Sequence, residues 1–72
     1  MDIDVEQKEA IGKIILNRRK SRHIIQGDLA DIAGISPRTL RNIEKGLANP
    51  ELETLMRICN VLGMVIKLKI DK

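Results

Sequence analysis

The sequence predicts an all-α domain of four to five short helices followed by one C-terminal β-strand. Three observations support this prediction. Apolar residues recur at helical spacing through most of the chain. Capping and turn residues, among them Gly34, Ser36-Pro37 and Gly63, separate the periodic stretches. From Met64 onward the period changes to two, which is typical of a strand.

Size and charge indicate one small domain with an anionic partner. The 72 residues predict a single domain over 1–72, and a chain this short buries only about 60% of its unfolded surface unless a second copy adds burial. Residues 17–45 hold seven basic groups against three acids, which favours a polyanion, although a solvated helix face is the alternative. The absence of Phe, Tyr and Trp removes base stacking, the usual device of single-strand readers.

Few residues suit other chemistry. The lone Cys59 cannot form an internal disulfide and is expected to be a packed thiol in a reducing compartment. His23 stands where the chain must turn, and we expect it to adopt a left-handed backbone and not to bind a metal. No apolar run is long enough to span a membrane and no signal peptide is evident, so the cytoplasm is the default location. No metal or cofactor is predicted.

The first helix is predicted from Glu6 to about Arg22. Acidic residues lie near its start and basic residues near its end, which suits the helix dipole. Residues 1–6 alternate between polar and apolar, so a short strand and a frayed terminus both remain open. One helical stripe carries Ile11, Ile14, Ile15 and Arg18.

Two short helices around a tight turn form the centre of the chain. The first is predicted over Gln26–Ala33, and Gly34 ends it with a positive φ. Ser36 is the expected N-cap of the second, which starts at Pro37 and ends near Lys45-Gly46. Its outer face is charged and polar, and consists of Pro37, Arg38, Arg41, Asn42 and Lys45.

A fourth helix and a strand complete the prediction. Asn49-Pro50 is expected to start the helix and Gly63 to end it, with an apolar stripe of Leu52, Leu55, Ile58, Cys59 and Leu62. Residues 64–71 alternate as a strand, and an isolated strand is not stable in water. We therefore expect it to pair antiparallel with a second copy across a two-fold axis. Its dimerisation face comprises Met64, Ile66, Leu68 and Ile70.

One set of positions matches the pattern of a known family, namely Gln26, Leu29-Ala30, Gly34, Ile35, Ser36, Leu40, Ile43-Glu44, Gly46 and Pro50. At these positions the chain resembles the Cro/cI-type (Xre-like) helix-turn-helix domains of bacterial and phage repressors, which have a lambda-repressor-like fold. The run from Asn49-Pro50 to Leu62-Gly63, with the predicted strand after it, resembles the HipB-like antitoxin branch of these regulators.

The resemblance implies a role for individual residues. Base-reading and groove-lining positions would be Ser36, Pro37, Arg38, Arg41 and Asn42. Phosphate-binding positions would be Gln26, Thr39 and Lys45. Arg19 and Glu44 match a pair that forms an internal salt bridge in many relatives. Pro37 cannot donate a hydrogen bond, so direct readout would depend on Arg38, Arg41 and Asn42.

The expected function is a homodimeric repressor that binds a palindromic operator in double-stranded DNA. Within this class the resemblance implies an antitoxin that represses its own operon and binds a HipA-like kinase toxin; a stand-alone phage-type or metabolic repressor is the alternative. A protein-interaction module that reads no DNA is a second alternative. One His, one Cys and no phosphate-binding glycine loop argue against an enzyme.

Overall fold

The computed structural model describes residues 5–67, and these contain four helices. They are α1 (Val5–Ser21), α2 (Gln26–Ala33), α3 (Pro37–Glu44) and α4 (Leu52–Leu62). The all-α prediction is confirmed for this part of the chain. Helix α1 begins at Val5, so the last two residues of the possible N-terminal strand are helical, and residues 1–4 lie outside the described part.

The turn between α2 and α3 follows from local chemistry, as predicted. Gly34 has a φ of 73°, and the N–H of Ile35 closes the end of α2 by donating to the Ala30 carbonyl at 2.9 Å. Ile35 then packs against the core. Ser36 is extended, and its Oγ accepts from the Thr39 N–H at 3.0 Å, so it caps α3. His23, in the corner before α2, has a φ of 58°, which confirms the left-handed backbone predicted for it.

Helix α4 starts later than the sequence predicts. Asn49-Pro50 is not its cap; the N-cap is Glu51, whose φ of −66° and ψ of 149° are extended and whose side chain makes no capping hydrogen bond. The first hydrogen bond of the helix therefore runs from the Leu55 N–H to the Glu51 carbonyl. The end of α4 is as expected, because Gly63 has a φ of 70°.

Aliphatic side chains from all four helices form the core. Helix α3 packs against α1 and α2, and α4 packs against α2 and α1. From the stripe predicted on α1, Ile15 is buried and Ile11 half-buried, but Ile14 is 57% exposed and does not belong to the core. Burying a Leu or Ile side chain contributes roughly 1.5–3 kcal/mol. The buried apolar residues are Ile15, Leu29, Ala30, Ala33, Leu40, Ile43, Leu55, Ile58 and Leu62.

Helix α1 lies directly on the backbone at the end of α3. A Cβ on Gly12 would lie 2.5 Å from the Ile43 carbonyl oxygen and 2.6 Å from that of Glu44. A Cβ on Gly46 would lie 2.9 Å from the Cα of Glu9. This close approach was not predicted from the sequence, in which Gly12 only weakens a helix. It fixes the distance between α1 and the C-terminal end of α3.

The segment after α4 is described only in part. Residues 64–67 form no strand, and Leu68 and Ile70 of the predicted dimerisation face lie outside the described residues. The predicted pairing joins the strands of two copies, and a single copy does not test it. The pairing therefore stays a prediction. Among residues 5–67, each helix is too short or too polar to cross a membrane.

The close approach at Gly12 gives a first prediction. Gly12→Ala should gain about 1 kcal/mol of helix propensity, yet lower the free energy of unfolding by a net ~1–3 kcal/mol because its methyl group meets two backbone carbonyls. Gly27→Ala is the matched control, since a Cβ there has no neighbour within 4 Å. It should stabilise the fold by ~0.4–1 kcal/mol. Urea unfolding measures both variants, and similar changes would contradict the packing described.

Candidate nucleic-acid interface

Helix α3 presents a continuous basic and polar face. Arg38, Arg41 and Lys45 are exposed and Asn42 is half-buried, and their spacing places them on one side of the helix. Leu40 and Ile43 are buried on the other side. An α-helix with its side chains is about 10–12 Å in diameter, which fits the ~12 Å width of the major groove of B-DNA.

The start of α3 is less free to read a ligand. The Ser36 and Thr39 hydroxyl oxygens lie 2.9 Å apart, and Ser36 Oγ also accepts from the backbone of Thr39. These two exposed hydroxyls therefore stabilise the first turn of the helix. Pro37 is exposed at the first helical position and has no N–H to donate.

A buried ion pair connects α1 to the end of α3. Arg19 Nε donates to Glu44 Oε2 at 2.7 Å, and Arg19 Nη2 donates to Oε1 at 3.1 Å. The Arg19 side chain is 11% exposed and that of Glu44 is 3% exposed. A third Arg19 nitrogen, Nη1, donates to the Ile24 carbonyl at 2.9 Å. Arg19 thus joins α1, the corner before α2 and the end of α3.

Gln26 contacts the same carboxylate. Its Nε2 donates to Glu44 Oε1 at 2.9 Å across the interface between α2 and α3. A carboxylate can only accept, so Glu44 fixes which end of the amide points inward. Gln26 is half-buried and stands at the first position of α2, whose N-cap Ile25 makes no side-chain capping hydrogen bond. This contact was not predicted, because nothing local relates residues 26 and 44.

Part of the basic cluster lies elsewhere. Arg18 Nε donates to the Leu62 carbonyl at 2.8 Å, at the end of α4. A Cβ on Gly63 would lie 3.0 Å from Arg22 Nη2. Two of the seven basic residues in the central cluster, Arg18 and Arg19, therefore hydrogen-bond to the protein itself, and Arg22 is exposed beside Gly63. The charge available on the exposed side of α3 comes from Arg38, Arg41 and Lys45.

A separate apolar surface lies along α4 and the residues that follow. It forms an open groove of about 740 Å³, lined by Leu52, Met56, Cys59, Met64, Val65 and Ile66 among others. Leu52 is exposed, so its place in the predicted apolar stripe of α4 was wrong as a core position, and Met56, outside that stripe, is exposed as well. Burial raises the pKa of the Cys59 thiol, which favours the neutral form expected of a packing cysteine. In the described residues no His, Cys, Asp and Glu side chains group as a metal site.

Comparison with known proteins identifies similar chains. A family model described as Helix-turn-helix, HTH_3, matches residues 15–65. An uncharacterized HTH-type transcriptional regulator of Haemophilus influenzae is 32% identical over 59 residues, which are 82% of this chain and 60% of that protein. The chain spans at most 60% of the length of the curated relatives described by this comparison.

Two solved structures have the same arrangement of helices. The clp gene regulator ClgR from Corynebacterium glutamicum has a TM-score of 0.77 at 28% identity, over 79% of this chain and 61% of that one. An HTH_3 family transcriptional regulator from Vibrio cholerae has a TM-score of 0.78 at 33% identity, over 88% of this chain and 35% of that one. The matched part of this chain includes α2, α3 and the turn between them.

The buried ion pair gives a second prediction. Glu44→Leu should lower the free energy of unfolding by about 3–5 kcal/mol, because it leaves the Arg19 guanidinium buried without a counterion. Adding Arg19→Met should recover much of that loss, since an apolar pair needs no compensation. The control is Glu53→Leu, which removes a carboxylate from an exposed ion pair with Arg57 and should cost less than about 1 kcal/mol. Equal losses for Glu44→Leu and Glu53→Leu in urea unfolding would refute this account.

Proposed function

The chain belongs to the HTH_3 helix-turn-helix family, and from this membership we propose that it is a homodimeric transcriptional regulator that binds palindromic double-stranded DNA. The observation that carries the proposal is the exposed face of α3, where Arg38, Arg41, Asn42 and Lys45 stand clear of the core. A face intended only for solvent would carry acids as well, and the one acid of α3, Glu44, is buried.

Direct base readout is assigned to three side chains of α3. Arg38 or Arg41 would donate two hydrogen bonds to O6 and N7 of a guanine in the major groove. Asn42 would read an adenine or bridge to a phosphate, and its partial burial supports a fixed orientation. Ser36 and Pro37 would line the groove, since the Ser36 hydroxyl already contacts the N–H and the hydroxyl of Thr39, and Pro37 has no N–H to donate.

Phosphate binding is assigned to Gln26, Thr39 and Lys45, which flank the reading face. Thr39 and Lys45 are exposed. One hydrogen of Gln26 Nε2 is donated to Glu44, so the second hydrogen is the one left for a phosphate oxygen. The amide oxygen cannot serve, because it and the phosphate are both acceptors. Gln26 would therefore act as one donor of fixed direction, and such contacts position the protein on the duplex.

Dimerisation is assigned to the segment after α4, with Met64, Ile66, Leu68 and Ile70 on the shared face. Two features support this. The apolar groove along α4 continues into Met64, Val65 and Ile66, and exposed apolar surface of this kind often marks a protein interface. The exposure of consecutive residues also differs, because Val65 is 77% exposed and Ile66 is 40% exposed. A two-fold dimer would present two copies of α3 to one face of the DNA.

Regulation would follow from occupying a promoter, which requires no chemistry. The similar proteins are named as transcriptional regulators, and a stand-alone repressor is one form that such a function would take. The HipB-like run from Asn49-Pro50 to Gly63, followed by an alternating segment, favours an antitoxin that also binds a HipA-like kinase. Co-purification of this chain with the product of an adjacent kinase-like gene would distinguish the second function from the first.

Selection from random DNA tests the proposed function. The purified chain should enrich a palindrome whose half-sites are about one helical turn (~34 Å) apart. Arg38→Ala with Arg41→Ala should then lower affinity for that sequence by about 30-fold or more, because each bidentate contact discriminates by ~1–3 kcal/mol. Circular dichroism should be unchanged.

The control for this experiment removes the same charge elsewhere. Lys20→Ala with Arg57→Ala takes two exposed cations from α1 and α4. It should weaken binding to selected and random DNA by similar, small factors, since only non-specific attraction changes. If it reduces specific binding as much as the α3 double variant does, net charge and not the α3 face accounts for binding.

A paired substitution tests the dimer face. Ile66→Asp should convert the dimer to a monomer, because it places a carboxylate in the shared apolar face. Lys67→Asp is the matched control: Lys67 is exposed on the other side of the proposed strand and does not line the apolar groove, so the dimer should stay intact. Deletion of residues 64–72 should also give a monomer. Light scattering measures the mass, and a deletion variant that still has twice the chain mass would exclude this segment as the interface.

A further inference from the structure

Adjacent arginines on α1 bind the ends of two different helices. Arg19 donates to Glu44, the last residue of α3. Arg18 donates through Nε to the carbonyl of Leu62, the last residue of α4, at 2.8 Å across a separation of 44 residues. One turn of α1 therefore holds the end of the helix that reads DNA and the end of the helix that leads to the dimer segment.

The contact at α4 is suited to fix the direction in which the chain leaves that helix. The last carbonyls of a helix have no partner within it. At the end of α4, the Met64 N–H closes back onto the Cys59 carbonyl at 2.8 Å, and Leu62 receives the guanidinium of Arg18. A cation at a helix C-terminus also interacts favourably with the helix dipole. The hydrogen bond is charge-assisted and partly buried, so it is directional.

Packing at Gly63 restrains the same point. A Cβ there would lie 3.0 Å from Arg22 Nη2 and 3.4 Å from Arg18 Nη2, so both guanidinium groups lie close over the residue where the dimer segment begins. Helix α1 is itself seated on the end of α3 at Gly12, where a Cβ would clash with two carbonyl oxygens. Helix α1 is thus in close contact with the end of α3 at Gly12 and, through Arg18 and Arg22, with the start of the dimer segment at Gly63.

We propose that Arg18 is a specificity-determining positioning residue: by holding the end of α4 against α1, it sets the separation and relative rotation of the two α3 helices in the dimer and so the half-site spacing that the protein accepts. This inference rests on the proposed function, including dimerisation through residues 64–71. Arg18 would not touch DNA. Its charge, which resembles a DNA-steering charge in the sequence, would act inside the protein.

The experiment measures spacing preference and not affinity alone. Binding is compared on the selected operator, on operators with one base pair added or removed between the half-sites, and on a duplex with one half-site scrambled. One base pair shifts a half-site by ~3.4 Å along the helix and rotates it by about 36°. The unmodified protein should lose roughly tenfold on a changed spacing, comparable with one mismatched base pair.

Arg18→Met keeps much of the side-chain stem but removes the charge and the donors. In this variant the spacing penalty should fall to about threefold or less, while binding to the scrambled duplex stays within about twofold, because the α3 face is unchanged. Arg18→Lys retains a cation that can reach the Leu62 carbonyl and should recover part of the penalty. Lys20→Met is the charge control, since Lys20 is exposed in the same turn, and it should keep the full penalty.

The possible outcomes distinguish a failure of this inference from a failure of the proposed function. If Arg18→Met retains the tenfold penalty, or if it weakens every duplex by one common factor, Arg18 does not set the spacing and the inference is overturned. If Arg18→Met unfolds, Arg18→Lys decides the question. The inference then requires that this variant show a spacing penalty that is smaller than that of the unmodified protein but still present, and an unchanged penalty overturns it. If the unmodified protein selects no palindrome, the proposed function itself fails, and the inference fails with it.

Discussion

The carboxylate of Glu44 is the constraint on which the arrangement of the first three helices depends. An ionised group in the interior costs several kcal/mol unless donors surround it, and here Arg19 and Gln26 supply three hydrogen bonds. Those donors belong to α1 and α2, while the carboxylate belongs to α3. All three helices must therefore be in place together, which favours one arrangement over other compact packings of the same apolar residues.

The basic residues have two different physical roles that net charge does not distinguish. Arg18 and Arg19 are partly or fully buried and satisfy a helix end and a carboxylate. Arg38 and Arg41 are exposed, and neither side chain forms a hydrogen bond or ion pair with the residues that the structure describes. A long-range field arises from all of them, but only the second pair is free to form directional contacts with bases. The chain thus uses similar side chains for stability and, in the proposed function, for recognition.

The sequence predicts the fold where local chemistry decides it and not where distant contacts do. The end of α2 at Gly34 follows from a positive φ and the start of α3 follows from the Ser36 cap, and both are confirmed. The predicted start of α4 was wrong. Asn49-Pro50 has the sequence of a helix cap, but the chain stays extended through Glu51. The close approach at Gly12 and the contact between Arg18 and Leu62 join residues more than 30 apart, and no local pattern reveals such pairs.

The surfaces proposed for DNA reading and for dimer assembly lie on different helices of one small core. Helix α3 contacts α1 and α2, and α4 contacts the same two helices, so the charged face of α3 and the apolar groove along α4 need not compete for one surface. Their separation has a consequence for specificity. A single α3 helix can contact only a few base pairs, so recognition of a longer site depends on how rigidly α1 and α2 connect the two surfaces. Rigid packing through Gly12 and Glu44 would convert dimer geometry into discrimination between DNA sites, whereas a flexible connection would add affinity without selecting a spacing.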